Sequence, residues 1–481
     1  MNYKAVTNVL GKILFLLAVF MTIPIVVDLI YQENTWQAFL YPVIGCLVVS
    51  IAINVFIRPK KTVLHAKEGF VIVALAWIII SLIGAIPFVI TKVLPNYMNA
   101  FFETVAGFTT TGASVIADVE SCPHSILFWR SFTNWIGGMG ILVFVLAITP
   151  NFDSGSIHVL RAESTGPNVG KLVSKMSLTA RILYTIYIVL TVMLFIMLIC
   201  GKMPVFDSIC ASLSTAGTGG FSVRNASIGA YGSTYYDMVI AIFMFLFGIN
   251  FSVFYLILVG SISRVLRNEE LLTYVIIVIV ATFAIAIDIL SVYGDFGTAM
   301  HHSFFQVASI VSTTGFSSTD FNTWPTFAKM ILLFLMIAGA SAGSTAGGFK
   351  IARGIVLAKV AFADLRKMLN PRVVVCPKLN GEPISTETAQ TTKTYIITYF
   401  ALMLVSFLLI SIENYGDVET NISAVVSCFN NIGPGFGKVG PTSTYFGYSW
   451  FSKLILCLDM LAGRLEIFPI ILLFHPTTWK K

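Results

Sequence analysis

Residues 301–317 read HHSFFQVASIVSTTGFS, an apolar stretch of about ten residues followed by a short Ser/Thr/Gly run. Three other stretches divide the same way: MNAFFETVAGFTTTGAS at 98–114, FDSICASLSTAGTGGFS at 206–222 and ETNISAVVSCFNNIGPG at 419–435. Without a gap they align on Gly112, Gly220, Gly315 and Gly433. The glycines set the alignment, so the test lies in the other columns. Six residues earlier stand Ala106, Ser214, Ser309 and Ser427; two earlier stand Thr110, Thr218, Thr313 and Asn431; two later stand Ser114, Ser222, Ser317 and Gly435. An apolar segment this short cannot cross a bilayer, which takes about 20 residues. Each is expected to enter as a half-helix and return as extended chain. Non-helical backbone at membrane depth persists only when buried in protein or lining a watery cavity, so four such segments meeting on one axis would line a pore.

The surrounding composition agrees. Of 481 residues, 57% are apolar and 11% charged, with a mean hydropathy of +0.86, against roughly 45–50% and 25% in soluble domains. The chain reads as a polytopic membrane protein with no room for a large catalytic module outside the bilayer. Uncharged runs at 13–27, 34–57, 69–91, 131–152, 182–201, 238–263, 271–287, 330–349 and 394–412, with a tenth, broken by charge, at about 447–475, predict ten crossings. No small-x-small cleavage site follows the first run, which is kept as an uncleaved helix. Basic residues fall in alternate loops (Arg58, Lys60, Lys61 and Lys67; Arg161, Lys171, Lys175 and Arg181; Arg264 and Arg267; Arg353 to Lys393; Lys480 and Lys481), which places both termini in the cytoplasm. The opposite loops carry Asp118, Glu120, Asp207, Asp237, Asp295 and other carboxylates. They form either an acidic vestibule that concentrates cations or plain solvated loops. The net charge of +7 is spread through short clusters, which argues against nucleic acid. Seven cysteines without a CxxC spacing give neither a disulfide framework nor a zinc site.

The Thr-Thr-Gly chemistry points to ion dehydration. A monovalent cation sheds water where rings of carbonyl oxygens replace it, and successive carbonyls face one way only if the chain can enter left-handed regions that glycine tolerates. No Asp or Glu lies within three residues of any of the four glycines, which favours a monovalent over a divalent ion.

The four helix–loop–helix units, one glycine in each loop and two added helices within 13–57 resemble the Trk/Ktr/HKT superfamily of potassium transporters, most closely its bacterial Trk-type membrane subunit. The resemblance covers nearly the whole chain. It implies an all-α integral membrane fold of four covalently linked helix–pore-loop–helix repeats around a pseudo-fourfold pore, plus two N-terminal transmembrane helices. The divisions would be 1–60 for the N-terminal region and 61–155, 156–265, 266–375 and 376–481 for the repeats. The resemblance further implies channel-like potassium uptake across the cell membrane by a homodimer in lipid, with a cytosolic nucleotide-binding regulatory subunit and no organic cofactor in this chain. Its selectivity filter would comprise Thr110, Thr111, Gly112, Thr218, Gly219, Gly220, Thr313, Thr314, Gly315, Asn431, Ile432 and Gly433. Potassium would be held at Thr110, Thr111, Thr218, Gly219, Thr313, Thr314, Asn431 and Ile432. Sodium-conducting members often carry serine at the first filter glycine, so Gly112 resembles the potassium-selective pattern. The fourth segment departs from Thr-Thr-Gly, as fourth segments in the family usually do.

Below the third segment, Gly339, Ala340, Ser341, Ala342, Gly343, Ser344, Thr345, Ala346, Gly347 and Gly348 form an unbroken run of small residues ending near Lys350. Such a run makes a weak helix that could unwind into a gate beneath the filter, and the family has a gating loop at this place. Its GxxxG spacing equally suits a straight helix in close contact with a neighbour. Lys350 is either part of the gate or a snorkelling anchor at the cytoplasmic face. Arg464 has only Met460, Leu461, Ile467 and Phe468 at helical spacing. An intramembrane arginine is a functional-site hypothesis by default, and the resemblance implies a pore-facing charge; the alternatives are a carboxylate on another helix or loop carbonyls. Glu103 either supports the first filter by hydrogen bonding or reaches outer water, Asn134 and Asn250 could bond across helices, and the His301-His302 pair reads as solvated surface rather than as ligands.

The loops 151–180 and 350–393 are the longest soluble stretches and the natural docking surface for a partner. No Walker loop and no Rossmann fingerprint is present, so nucleotide sensing would need another subunit. No cluster of His, Asp, Glu or Cys suits an enzyme. The competing transport reading is a sodium- or proton-coupled symporter with broken helices, but the acidic residues lie mostly at membrane edges.

Overall fold

The structure, a computed structural model, describes residues 1–57, 66–140 and 176–479. Most of it is helix. Among the described residues the one sheet is a hairpin pairing Lys378–Leu379 with Glu382–Pro383, turned by Asn380 and Gly381 in the left-handed region, the Asn-Gly signature of a tight hairpin.

Among the described residues six helices are long and apolar enough to cross a membrane: Tyr3–Tyr31, Gln37–Phe56, Lys67–Ile90, Leu178–Cys200, Glu269–Asp288 and Thr386–Ser411. Exposed Ile30, Phe56, Ile279, Ile397 and Leu404 leave their outer faces apolar, as a lipid-facing surface requires. The first two pack against each other, with Gly11 admitting Ile53 and the Ser50 hydroxyl donating to Gly11 O at 2.8 Å. Glu33, in the loop that connects them, accepts through its carboxylate from the N–H groups of His124 at 2.9 Å and Ser125 at 3.4 Å. It thereby caps the helix His124–Met139 and ties the N-terminal pair to it.

The four expected half-helices are present as Tyr97–Phe108, Val205–Gly217, Phe296–Val311 and Val418–Phe429. Asn96, Asp295 and Asp417 cap three of them through their side chains. Each ends just before its glycine segment.

Of the ten expected crossings, those that follow the glycine segments do not form as single helices. The helix after each glycine segment stops part-way. His124–Met139 ends at Gly140 with φ 82°, and the rest of the expected 131–152 span lies outside the described residues. Within 238–263, Thr234–Phe247 and Phe251–Leu258 meet at 90°, because the Asn250 side chain accepts from Ser252 N at 2.9 Å and starts a new helix. Thr326–Ala338 ends at Gly339, and Trp450–Arg464 is parted from Phe468–Phe474 by Glu466 and Ile467 at φ 63° and 65°. In the first three, hydropathy sees uncharged runs and not the breaks inside them; the fourth carries the charges that mark it as broken in the sequence. The stretch expected as a soluble loop at 350–393 opens instead with a helix, Ile351–Leu369. The loop expected at 151–180 lies outside the described residues up to 175.

Candidate functional site

Each short helix ends in the same backbone. The residue two before the glycine and the glycine itself are left-handed: Thr110 and Gly112 at φ 57° and 73°, Thr218 and Gly220 at 54° and 68°, Thr313 and Gly315 at 57° and 81°, Asn431 and Gly433 at 57° and 104°. The N–H just before each glycine turns back to the helix end: Thr111 to Ala106 O at 2.8 Å, Gly219 to Ser214 O at 2.9 Å, Thr314 to Ser309 O at 2.9 Å and Ile432 to Ser427 O at 3.0 Å. These acceptors are the small-residue column found six places before each glycine. Among the described residues no hydrogen bond reaches the carbonyl oxygens of Thr111, Gly219, Thr314 or Ile432.

Those oxygens meet the neighbouring glycines. A Cβ on Gly112 would overlap Gly219 O, one on Gly220 would overlap Thr314 O, and one on Gly315 would overlap Ile432 O; on Gly433 it would stand 2.7 Å from Thr111 O. The contacts run first to second, second to third, third to fourth and fourth to first. They close a ring in which glycine is required at each step, both for its dihedral angles and for the approach of the next carbonyl. All four glycines line one cavity together with Ser114, Ser222 and Ser317.

The ring is braced from behind. Glu103, fully buried, accepts from Val115 N at 2.8 Å, from the Ser114 hydroxyl at 3.0 Å and from Arg130 Nε at 2.8 Å. Arg130, buried as well, also donates to Ser222 O at 3.2 Å and lies 4.2 Å from the centre of the Phe221 ring. One buried ion pair thus joins the first segment to the second. Breaking such a pair from one side costs about 3–5 kcal/mol, because the remaining charge is stranded. Arg130→Met alone is therefore expected to lower the thermal unfolding temperature of the detergent-solubilised protein, with the Glu103→Leu/Arg130→Met double variant recovering part of the loss. A double variant less stable than the single one would contradict this.

In the fourth segment asparagines replace threonines. The Asn430 side chain accepts from the Tyr399 hydroxyl at 2.7 Å and donates to Val426 O at 2.8 Å. Asn431 Nδ2 donates to Thr111 Oγ1 at 3.0 Å and to Met460 O at 2.9 Å, which ties the fourth segment to the first.

Residues 339–350 form a loop, not the straight GxxxG helix that their spacing also allowed. Gly339, Gly343, Gly348 and Lys350 are left-handed. Gly347 N donates to Thr313 Oγ1 at 2.7 Å, which places the loop against the third segment. Elsewhere it lies on the break at 248–250, through Ser341 N to Gly248 O at 3.1 Å and Phe251 N to Gly343 O at 3.1 Å, and Ala342 N donates to Glu270 Oε1 at 2.6 Å. Lys350 is no surface anchor: it is buried and its ammonium donates to Ala346 O. Arg464, the last residue of its helix, is buried too. It donates to Thr345 O at 2.8 Å, to Gly138 O at 2.6 Å and to Gly137 O. Loop carbonyls, one of the alternatives open in the sequence, are thus among its partners.

The family model TrkH, described as a cation transport protein, matches residues 35–481. The chain belongs to the TrkH family. Over 489 residues it is 34% identical to the Trk system potassium uptake protein TrkH of Salmonella typhimurium, with both chains covered in full. TrkH of Escherichia coli (strain K12) matches at the same 34% and coverage. Among solved structures, the crystal structure of the potassium transporter TrkH from Vibrio parahaemolyticus aligns with a TM-score of 0.90 at 29% identity over 100% of both chains. TrkH proteins are transporters, not enzymes, and this member is a multi-pass membrane protein.

Other residues singled out in this TrkH-family chain have local roles. Asn134 Nδ2 donates to Ser214 Oγ at 3.4 Å across helices, as expected. The His301-His302 pair is not solvated surface: His302 Nδ1 lies 3.1 Å from Ser318 Oγ with its ring on Tyr293, and His301 Nε2 stands 3.4 Å from Asp237 Oδ2. Among the described residues no carboxylate lines the cavity at the glycine ring; the charged residues there are Arg130 and Arg224. Arg224 is met by Asp207 at 3.4 Å and Glu120 at 3.8 Å, so part of the expected acidic vestibule pairs with an arginine. Asp118, nearby, stays anionic to lower pH than usual because the Asn225 amide donates to it at 2.8 Å. Arg130 escapes a reading by uncharged runs because it bounds one of them and falls at its edge. A charged residue one place before an apolar run, on a helix after a Glu-bearing half-helix, is the available signal.

Proposed function

We propose that this chain is a channel-like potassium uptake subunit of the cell membrane, its selectivity filter built by four helix–pore-loop–helix repeats around a pseudo-fourfold pore. The observation that carries the reading is the closed ring of glycine segments, whose carbonyl oxygens at Thr111, Gly219, Thr314 and Ile432 are left without protein donors among the described residues. Unused carbonyls on a rigid, amide-tethered backbone are what a dehydrated monovalent cation needs. The potassium uptake named for the Salmonella and E. coli relatives supports the choice of ion.

In this reading residues 339–350 are the gate, held under the filter by Thr313 and by Arg464, whose charge opposes free leakage. Both termini face the cytoplasm, two copies form a dimer with one pore each, and a nucleotide-binding regulatory subunit docks on the cytoplasmic segments that include 351–393. The test is rubidium tracer uptake into potassium-loaded liposomes containing the purified protein. Uptake is expected to be blocked far better by external potassium than by sodium. Equal block by the two would discard potassium selectivity.

A further inference from the structure

The ring of glycine segments is not uniform. Its loosest joint lies between the fourth segment and the first: a Cβ on Gly433 would stand 2.7 Å from Thr111 O, still too close, whereas at the other three joints it would come closer yet and overlap the neighbouring oxygen outright. Gly433 also departs in conformation, at φ 104° against 68° to 81° for the other three. Besides Asn431, which donates to Thr111 Oγ1, a second side chain bridges this joint. Tyr445, 2% exposed, lies on a short helical turn of the outer loop. Its hydroxyl donates to Gly433 O at 2.8 Å, and its own N–H donates to Ser114 O at 2.9 Å. A single residue therefore holds the carbonyl of the fourth glycine and the strand just beyond the first glycine. Among the described residues no hydrogen bond reaches the carbonyl oxygens of Gly112, Gly220 or Gly315.

Resting on the filter reading above, we infer that Tyr445 is a specificity-determining positioning residue: it closes the joint between the fourth and first segments and fixes where the Gly433 carbonyl points. The physical argument concerns cage size. Discrimination between potassium and sodium depends on carbonyl oxygens held at fixed number and spacing. Three joints are fixed by close backbone packing; at the fourth, Asn431 holds the Thr111 side chain and, among the described residues, the Tyr445 phenol alone holds the Gly433 carbonyl. Without that hydroxyl, Gly433 O is free to turn and the outer end of the filter adapts to the smaller ion.

Tyr445→Phe removes only the hydroxyl. It keeps the ring against Phe102 and Tyr448, with centroids 5.6 Å and 6.1 Å away. Tyr448→Phe is the matched control, since it deletes an equally internal hydroxyl that donates to Asn421 Oδ1 at 2.8 Å away from the filter. In rubidium uptake competed by potassium or sodium, Tyr445→Phe is expected to lower the potassium-over-sodium preference about fivefold, the scale of one neutral hydrogen bond. Uptake itself is retained, and Tyr448→Phe keeps the parent ratio. Should Tyr445→Phe keep the parent ratio while Gly315→Ser loses it, the role assigned to Tyr445 is wrong and the filter stands. Equal losses in both tyrosine variants would reduce Tyr445 to a packing residue and overturn the inference. An absence of potassium preference in the parent protein would remove the filter reading and this inference with it.

Discussion

Gly315→Ser should cut the potassium-over-sodium preference at least about tenfold, and Gly354→Ser should leave it where it was. The contrast comes from the surroundings that each new side chain meets. At Gly315 the backbone sits at φ 81°, and a Cβ would overlap Ile432 O and stand 2.8 Å from Pro434 Cδ. A left-handed non-glycine residue costs roughly 1–2 kcal/mol. The larger effect is geometric: the third and fourth segments must part, and the carbonyls that this joint fixes move with them. At Gly354 nothing lies within 4 Å of the added atom. The residue is inside the helix Ile351–Leu369, where serine is a better helix former than glycine. Competition of rubidium uptake by potassium and sodium reads the ratio directly, and equal changes in the two variants would count against the filter assignment. The same reasoning ranks the ring: Gly112 and Gly220, whose added atoms would also overlap a carbonyl, should resemble Gly315, and Gly433 should tolerate alanine best of the four.

That ranking also marks where the sequence stops being informative. The four segments are legible because a chain this apolar would otherwise place Leu, Ile or Phe in the columns that hold Ala106, Ser214, Ser309 and Ser427. The structure gives the column its reason, since those carbonyls accept the N–H before each glycine. The breaks in the helices after the segments are not legible. Gly248-Ile249-Asn250 interrupts an uncharged run with residues that a membrane helix tolerates, and only the geometry shows Asn250 capping a new helix at right angles to the last. The run 339–348 can be read for composition but not for shape, because alternating small residues serve a loop and a close-packed helix equally. Three left-handed glycines within it decide for the loop. Tyr445 leaves no mark at all: it lies in an outer loop, and its two bonds, to Gly433 and Ser114, depend on how distant stretches of the chain meet.

Arg464 offers the second large effect. Among the described residues its guanidinium donates to three carbonyl oxygens, of Thr345 in the loop 339–350 and of Gly137 and Gly138 at the end of His124–Met139. Hydrogen bonds from a charged donor contribute about 1.5–3 kcal/mol each, and a closed-to-open equilibrium shifts tenfold for every ~1.4 kcal/mol. In Arg464→Gln the charge is gone and the reach is shorter, so Thr345 O loses its anchor. In the proposed reading, the barrier to cations beneath the filter falls at the same time. Basal rubidium uptake by the subunit alone is therefore expected to rise about tenfold or more, while the potassium-over-sodium ratio, which the proposed filter at the glycine ring would set, stays at the parent value. Arg464→Lys separates the two contributions. It keeps the positive charge but replaces a planar fork that can span several acceptors with a compact ammonium, so its uptake should fall between the parent and Arg464→Gln. If both variants reduced uptake, the arginine would be supporting the pore rather than closing it, and the loop at 339–350 would have to be read as part of the ion pathway's wall.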